Sequence, residues 1–344
     1  MLDIRKPAVA GSWYPDEPVQ LKEMISGFLD SASIDAPTGR IAGLILPHAG
    51  YVYSGPVAAY GIKTLLQNKD EYIDNTIILI GFTHRPTNWE GISIWAKGAW
   101  ETPLGNISVD EEMAAKIISN APDVIQYKRE VHINEHSLEM ELPFLQYALD
   151  NRFKIVPIAF SHQSGTELET LTSALIAAQI DWDKTIVVVS TDMSHYHPYD
   201  EAVSLDRQTL QYVLSGDIQG LVNWIRSGTD AFCGWAAVLT AMSIMPQIGA
   251  RKTMLLKYAN SGDVQPASAA RGVVGYCAVA YIMSNNGNTS SGESSGSRDT
   301  VQEGDEYSLN KEQKLYLLDL ARRTIEKYVA EGEVLELKKP DDTK

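Results

Sequence analysis

The sequence predicts an α/β protein whose central sheet is covered by helices on both faces. Three short runs of apolar, mostly β-branched residues occupy residues 41–46, 76–80 and 186–189. Continuous apolar runs of this length are typical of strands buried in a parallel sheet. Segments with helical spacing of apolar residues lie between these runs. The alternation favours a single α/β domain over residues 1–283.

The first half of the chain alternates helices and strands. Apolar residues at helical spacing follow Pro18, which predicts a helix that starts at Asp16 or Glu17. The strand at 41–46 runs into PHAGYVYSG, whose glycines allow close backbone approach before the next helix. The same patterns predict strands at 76–80 and 91–96 and a helix that Asp110 caps and that runs through Ile118.

The second half begins with an amphipathic segment at 135–149, in which Pro143 either kinks a helix or marks its start. His136 and Glu139 would share one face of that helix. They would either line a pocket or place acidic charge in a first turn. Further strands are predicted at 153–160, 251–262 and 272–283, the last two as a pair, and further helices at 168–178, 200–217, 218–228 and after Cys233.

The composition argues against a nucleic-acid-binding protein. The chain has 344 residues, with 44 acidic against 29 basic side chains and a net charge of −15. Phosphate backbones attract basic surfaces, so this balance disfavours them as partners. The N-terminal residues lack the apolar core of a signal peptide, and no apolar run is long enough to span a bilayer. We therefore expect a cytoplasmic protein without membrane contacts.

Histidines follow three of the predicted strands. His48 follows the first strand, His84 the second, and the third leads into Asp192, His195 and His197. A single histidine after a strand is usually a packing or solvated residue. Three such histidines favour a site, because ligands bind at the carboxyl ends of the strands of an open α/β sheet.

The two cysteines, Cys233 and Cys277, have different settings. A cytosolic protein rarely forms structural disulfides, so each thiol is expected to be free. Cys277 lies in an apolar strand-like run and is interpreted as a buried thiol. Cys233 precedes Gly234 at the start of an apolar helix, where the helix dipole would favour a thiolate, although a second buried thiol is the alternative.

Residues 284–307 are rich in Ser, Gly and Asn and are predicted to be a flexible linker. Residues 308–344 begin with apolar residues at helical spacing, which predicts one amphipathic helix. One helix cannot form a domain, so it either docks on another surface or begins a second domain.

Six motifs occur in the order found in the Memo family, which this chain resembles over roughly residues 5–283. Microbial members of that family are called AmmeMemoRadiSam system protein B. The tail helix at 308–344 resembles the beginning of an AMME-type domain. The motifs are AGSWYP, PHAGYVYSG, GFTH, EHSLEMELPFLQ, STDMSHY and the Cys233–Gly234 pair.

The resemblance implies a fold and a set of site residues. Memo proteins are similar in fold to type III extradiol (LigB-like) dioxygenases, which implies one α/β domain with a central sheet. The metal ligands of the family correspond to His48, His84 and Cys233, and its remaining pocket residues to Asp192 and His195. His195 resembles the acid/base histidine of the dioxygenases, and His136 is carried over only as pocket lining.

The implied ligands leave the metal and the third ligand open. Two histidines and a carboxylate are the usual set of ferrous oxygenases, so the thiolate of Cys233 shifts the preference toward copper or zinc. Ferrous iron is the expected cofactor, with copper or zinc as alternatives. A set of His48, His84 and Asp192 would restore the carboxylate.

Two functions of different classes agree with these residues. The first is a metal-dependent oxidoreductase that works with a radical-SAM protein and an AMME-type domain protein, with His195 moving a proton and Asp192 orienting it. The second is a noncatalytic module that binds a peptide or another partner in the same pocket. Four aromatic side chains would line that pocket or pack at its rim: Trp13, Tyr14, Tyr51 and Tyr53.

Overall fold

The computed structural model describes residues 3–35, 37–266 and 271–283. The predicted linker at 284–307 and the predicted tail at 308–344 lie outside these residues. The strands are β1 (Ile4–Arg5), β2 (Ile41–Leu46), β3 (Thr76–Phe82), β4 (Ile92–Ile94), β5 (Ala99–Thr102), β6 (Gly105–Ser108), β7 (Ile125–Gln126), β8 (Lys154–Phe160), β9 (Thr185–Ser190), β10 (His195–His197), β11 (Lys252–Asn260) and β12 (Val273–Ile282).

Most of the longer helices agree with the segments predicted from apolar spacing, whereas two helices of four residues each, at 69–72 and 261–264, were not predicted. They are α1 (Pro18–Ser31), α2 (Tyr51–Gln67), α3 (Lys69–Tyr72), α4 (Glu111–Ser119), α5 (Leu142–Ala148), α6 (Gly165–Ala177), α7 (Tyr199–Ser215), α8 (Ile218–Arg226), α9 (Trp235–Ile244) and α10 (Ser261–Val264). Side chains predicted as caps act as caps, since Glu17 accepts hydrogen bonds at the start of α1 and Asp110 at the start of α4.

Nine of the described strands form one mixed sheet. Its order is β10, β12, β2, β9, β3, β8, β4 and β7, with β11 also paired to β12. The neighbours β2, β9, β3 and β8 run parallel, whereas β12 is antiparallel to β2 and β4 is antiparallel to β8. The predicted pairing of the last two strands is confirmed.

Helices cover both faces of this sheet, as predicted. Along β9, Ile186 and Val188 belong to one apolar cluster with residues of α1, α2 and α5. Val187 and Val189 belong to a second cluster with residues of α6, α7 and α9. Successive strand residues point to opposite faces, so the continuous apolar run reflects burial on both sides. The predicted class, an α/β domain with a central sheet between helices, is confirmed.

The segment before α5 differs from its prediction. The helix starts at Leu142, with Pro143 in its first turn, and residues 139–141 form a short 3₁₀ helix. His136 precedes both elements, so it does not share a helix face with Glu139. Pro143 marks the true start because proline lacks the N–H that a helix interior requires.

The sequence did not predict the small sheet formed by β1, β5 and β6. Its strands have only two to four residues, too few to show a period. The sheet holds the N-terminal arm, the segment of the chain before α1, beside residues 132–139. Arg5 of this arm and Glu139 form an ion pair with fully buried side chains. No helix among the described residues is long and apolar enough to cross a membrane.

Candidate metal centre

The three strands that precede the predicted site lie side by side in the sheet. β9 lies between β2 and β3 and is parallel to both, so all three end at the same edge. His48, His84 and Asp192 each follow the last residue of their strand by two positions. The convergence predicted from sequence is therefore confirmed for these residues. It follows from parallel pairing, which aligns the carboxyl ends of neighbouring strands.

Three imidazoles meet at this edge. One nitrogen from each of His48, His84 and His136 lies within 4.8 Å of the other two. The ring centroids are 5.1 Å apart for His48 and His84, 5.4 Å for His48 and His136, and 4.3 Å for His84 and His136. His48 and His136 are buried, and His84 is more exposed. The cluster thus opens to solvent on the His84 side.

A buried carboxylate orients two of these rings. Glu135 Oε1 accepts a hydrogen bond from Nδ1 of His84 at 2.9 Å and lies 3.3 Å from Nδ1 of His136. Both rings are left with Nε2 for another partner. Hydrogen bonds from His84 Nδ1 and from the Ser137 amide hold the pKa of Glu135 well below its usual range, even though burial opposes this. A carboxylate behind a histidine is the usual outer partner of a metal-bound imidazole.

His48 is oriented by a neutral partner. Its Nδ1 lies 3.0 Å from Ser190 Oγ at the end of β9, and its Nε2 lies 3.3 Å from Sγ of Cys233. Burial, and then the neighbouring His84 and His136, hold the pKa of His48 well below its usual range. The ring is therefore neutral near pH 7, which is the protonation state that binds metal.

Cys233 lies at the cluster, one residue before Gly234, which caps α9. Its Sγ accepts a hydrogen bond from the backbone N–H of Asp192 at 3.1 Å. Burial raises the pKa of Cys233 and the Asp192 carboxyl adds to that shift, which opposes the thiolate predicted from the helix start. Cys277 is fully buried in β12, as predicted.

Asp192 and His195 are not members of the imidazole cluster, although His195 acts electrostatically on both His48 and Asp192. Asp192 is buried, and its Oδ1 accepts the backbone N–H of His48 at 2.8 Å. Burial raises the pKa of Asp192 to about 6, although the His195 imidazole and the backbone N–H of His48 oppose this shift. The backbone N–H of His195, at the start of β10, donates to Asp230 Oδ2 at 2.6 Å.

The donor set fits a transition-metal ion. Two imidazole nitrogens that bind one zinc ion at about 2.0–2.1 Å each lie at most about 4.2 Å apart. The nitrogens of the three rings lie within 4.8 Å of one another, so small side-chain shifts bring them close enough to bind one ion. The Cys233 thiol lies 3.3 Å from His48 Nε2 but is not a member of the group of ligand atoms that all lie within 4.8 Å of one another. Imidazole and thiolate suit iron, copper and zinc, whereas magnesium and calcium prefer oxygen ligands.

An aromatic groove adjoins the cluster. The ring of Trp13 lies 4.3 Å from that of His136, and Trp13 and Tyr53 are each more than a third exposed. Both line a cavity of about 610 Å³ between the N-terminal arm and the start of α2. Tyr14 also lines this cavity, although its ring is buried, and the buried Tyr51 belongs to the core. The predicted rim residues thus divide between groove and core.

The sequence did not identify His136 as a potential metal ligand or the partners that orient the rings. The family resemblance gives His136 only as pocket lining, and no strand ends directly before it to mark it as a site residue. Glu135 beside it was a usable signal, because a carboxylate next to a histidine often orients a ligand. Ser190 gave no signal, since a serine at the end of an apolar strand is common.

Fold and site together define a class: α/β proteins with a histidine-rich candidate metal site at the carboxyl edge of a mixed sheet. The sequence model of Memo-like proteins matches residues 5–280. The chain belongs to this family.

The match to this chain covers nearly the whole length of several curated relatives. A MEMO1 family protein of Sulfurisphaera tokodaii is 35% identical over 289 residues, which are 81% of this chain and 99% of the relative. A MEMO1 family protein of Desulfurococcus amylolyticus is 34% identical over 289 residues, again 81% and 99%. A relative in Methanopyrus kandleri is 32% identical over 287 residues, 80% of this chain and 98% of its own.

Proposed function

We propose that this protein holds one transition-metal ion between His48, His84 and Cys233, with His136 in reach as a further nitrogen donor. The observation that carries the proposal is the convergence of three imidazoles within 4.8 Å, next to a thiol 3.3 Å from one of them. Ferrous iron is the proposed resident ion, and copper and zinc suit the same donors. Cys233 would ionise on binding, because metal coordination removes the thiol proton that burial otherwise retains.

The proposed activity is that of a metal-dependent oxidoreductase in the cytoplasm. A bound ferrous ion would supply electron transfer and open positions for small ligands. His195 would exchange a proton with the substrate, and Asp192, whose pKa lies at about 6, would orient that imidazole and stabilise its charged form. The proposed setting is work on a product of a radical-SAM protein, together with an AMME-type domain protein.

Metal analysis of anaerobically purified protein tests the site. Wild type and the variants His48→Ala, His84→Ala, His136→Ala and Cys233→Ala are compared by mass spectrometry of bound metal. His162→Ala serves as the matched control, because His162 is an exposed histidine outside the cluster.

The expected pattern separates ligands from bystanders. His48→Ala and His84→Ala lose the ion, Cys233→Ala loses most of it, and the control keeps one equivalent. Full retention of metal in the His48 and His84 variants contradicts the proposal. If Asp192→Ala loses the metal ion and Cys233→Ala retains it, the third ligand is the Asp192 carboxylate and not the Cys233 thiolate.

The second candidate function is binding of a peptide or another partner without catalysis. The aromatic groove beside His136 favours it, because exposed Trp and Tyr side chains supply contact area at low entropic cost. A Trp13→Ala variant separates the two functions. If it loses partner binding while metal content and any turnover stay unchanged, the groove serves a binding role.

A further inference from the structure

The hydroxyl of Ser190 connects a metal-ligand candidate to a buried acid. Ser190 is fully buried, and its Oγ lies 3.0 Å from His48 Nδ1, 2.7 Å from the carbonyl oxygen of Ser137 and 2.9 Å from Glu141 Oε1. All three distances are hydrogen-bonding distances. Three partners thus share one hydroxyl group.

The number of hydrogens available assigns the donor and the acceptor in each of the three contacts of the Ser190 hydroxyl. A serine hydroxyl has one hydrogen to donate and can accept two. The Ser137 carbonyl can only accept, and it makes the shortest contact, so it takes the hydrogen of Ser190. Both remaining partners must then donate to Ser190 Oγ. His48 donates its Nδ1–H, and Glu141 donates a carboxylic O–H.

The surroundings of Glu141 agree with this count. Its side chain is buried, and its Oε2 has no hydrogen-bond partner among the described residues. An ionised carboxylate in such a place would leave one charged oxygen unpaired in a dry interior, which is costly. Burial accordingly raises the pKa of Glu141 well above its usual range, with the nearby Asp192 adding to the shift and Ser190 opposing it.

We infer that Glu141 is a protonated carboxylic acid that donates to Ser190 and, through it, holds His48 in the Nδ1–H tautomer with Nε2 free for metal. Glu141 is thus a positioning residue for the centre, and this role rests on the proposed metal site. The two outer acids are complementary, since Glu135 orients its histidines as an anion and Glu141 acts on His48 as a neutral group. His48 therefore gains a fixed orientation without a second negative charge behind the metal.

The test compares Glu141→Gln with Ser190→Ala and Glu135→Gln in the full chain. A glutamine amide donates to Ser190 as the acid does, so Glu141→Gln keeps the zinc affinity of wild type. Ser190→Ala removes the acceptor for His48, and Glu135→Gln removes the anion behind His84. Each of these two variants is expected to lose about 10–100-fold in zinc affinity. A drop of that size in Glu141→Gln means that the acid is ionised, and it overturns the inference.

Two spectroscopic readouts on the metal-free protein do not depend on the proposed function. The infrared band of a protonated carboxylic acid is present in wild type at pH 8 and absent in Glu141→Gln. Nitrogen NMR of labelled histidine shows His48, assigned by its loss in His48→Ala, as the Nδ1–H tautomer in wild type and Glu141→Gln and as a mixture in Ser190→Ala. If no infrared band disappears, or if His48 carries its hydrogen on Nε2, the inference is wrong whatever the zinc titration gives. If both readouts give the expected result but neither wild type nor any variant binds zinc, only the proposed function is wrong.

Discussion

Replacing Glu139 by glutamine should cost the protein a large part of its stability. Glu139 is fully buried and pairs with the guanidinium of Arg5, which is also fully buried. Its carboxylate accepts the hydroxyl of Tyr14 at 2.6 Å and the backbone N–H groups of Ala8 at 2.7 Å and Val9 at 3.1 Å. Glutamine removes the charge and turns an N–H₂ group toward donors that need an acceptor.

The magnitude follows from the uncompensated charge. Breaking a buried ion pair by removing one partner typically costs about 3–5 kcal/mol, because the other charge stays in the interior. Domains are stable by only about 5–15 kcal/mol in total. With a urea slope of about 3 kcal/mol/M, the unfolding midpoint should fall by about 1–2 M.

Urea unfolding followed by circular dichroism measures this loss. The matched control is Glu112→Gln, which breaks the exposed pair with Lys116, where the Glu112 side chain is 81% exposed. Exposed helical pairs contribute about 0.3–0.5 kcal/mol, so the control midpoint should barely move. Equal midpoints for the two variants would refute the idea that the buried pair anchors the N-terminal arm to residues 132–139.

Three further predictions concern other parts of the chain. Burial lowers the pKa of His132 to about 3, and the charge of the Arg5 guanidinium contributes to this shift. Below pH 6.5 the unfolded chain therefore binds a proton at His132 that the folded chain does not bind. Stability should then fall by about 1.4 kcal/mol per pH unit through this group, and His132→Gln should lack that share when urea midpoints at pH 7 and 5 are compared; an unchanged slope would count against it. A chain that ends at Ser284 should melt at the wild-type temperature in calorimetry, because the family match ends at residue 280, and a clearly lower value would make the tail part of the core. In timed alkylation of metal-free protein, Cys233 should react faster than Cys277, because the Cys233 side chain is partly exposed and that of Cys277 is buried. Both thiols should react slowly, because burial raises both pKa values. Fast labelling of Cys277 would refute this account.

The fold could be predicted largely from the sequence because most of its elements have a strong period. The bounds of β2 match their prediction, and α4 and α6 match within about three residues. The arm sheet was missed because strands as short as Ile4–Arg5 carry no period and depend on tertiary contacts. The segment before α5 differs from its prediction because the helical spacing of leucines continues through the 3₁₀ helix at 139–141, which buries Glu139 against Arg5.

The candidate site could be predicted only as far as local patterns reach. Strand ends brought out His48, His84 and Asp192, since parallel pairing places those ends together. His136 and Glu135 arrive from a turn that follows no strand, so their positions depend on long-range contacts. The protonation of Glu141 depends on a count of neighbours that only the folded structure supplies.

X-ray absorption of zinc-loaded protein tests the central claim most directly, because it reads the atoms that bind the ion. We expect nitrogen scatterers at about 2.0–2.1 Å together with one sulfur at about 2.3 Å in wild type. The sulfur shell should vanish in Cys233→Ser and persist in Cys277→Ser, where the thiol lies in β12. A wild-type spectrum without sulfur would remove Cys233 from the metal centre, and failure of wild type to bind zinc at all would contradict the proposed site.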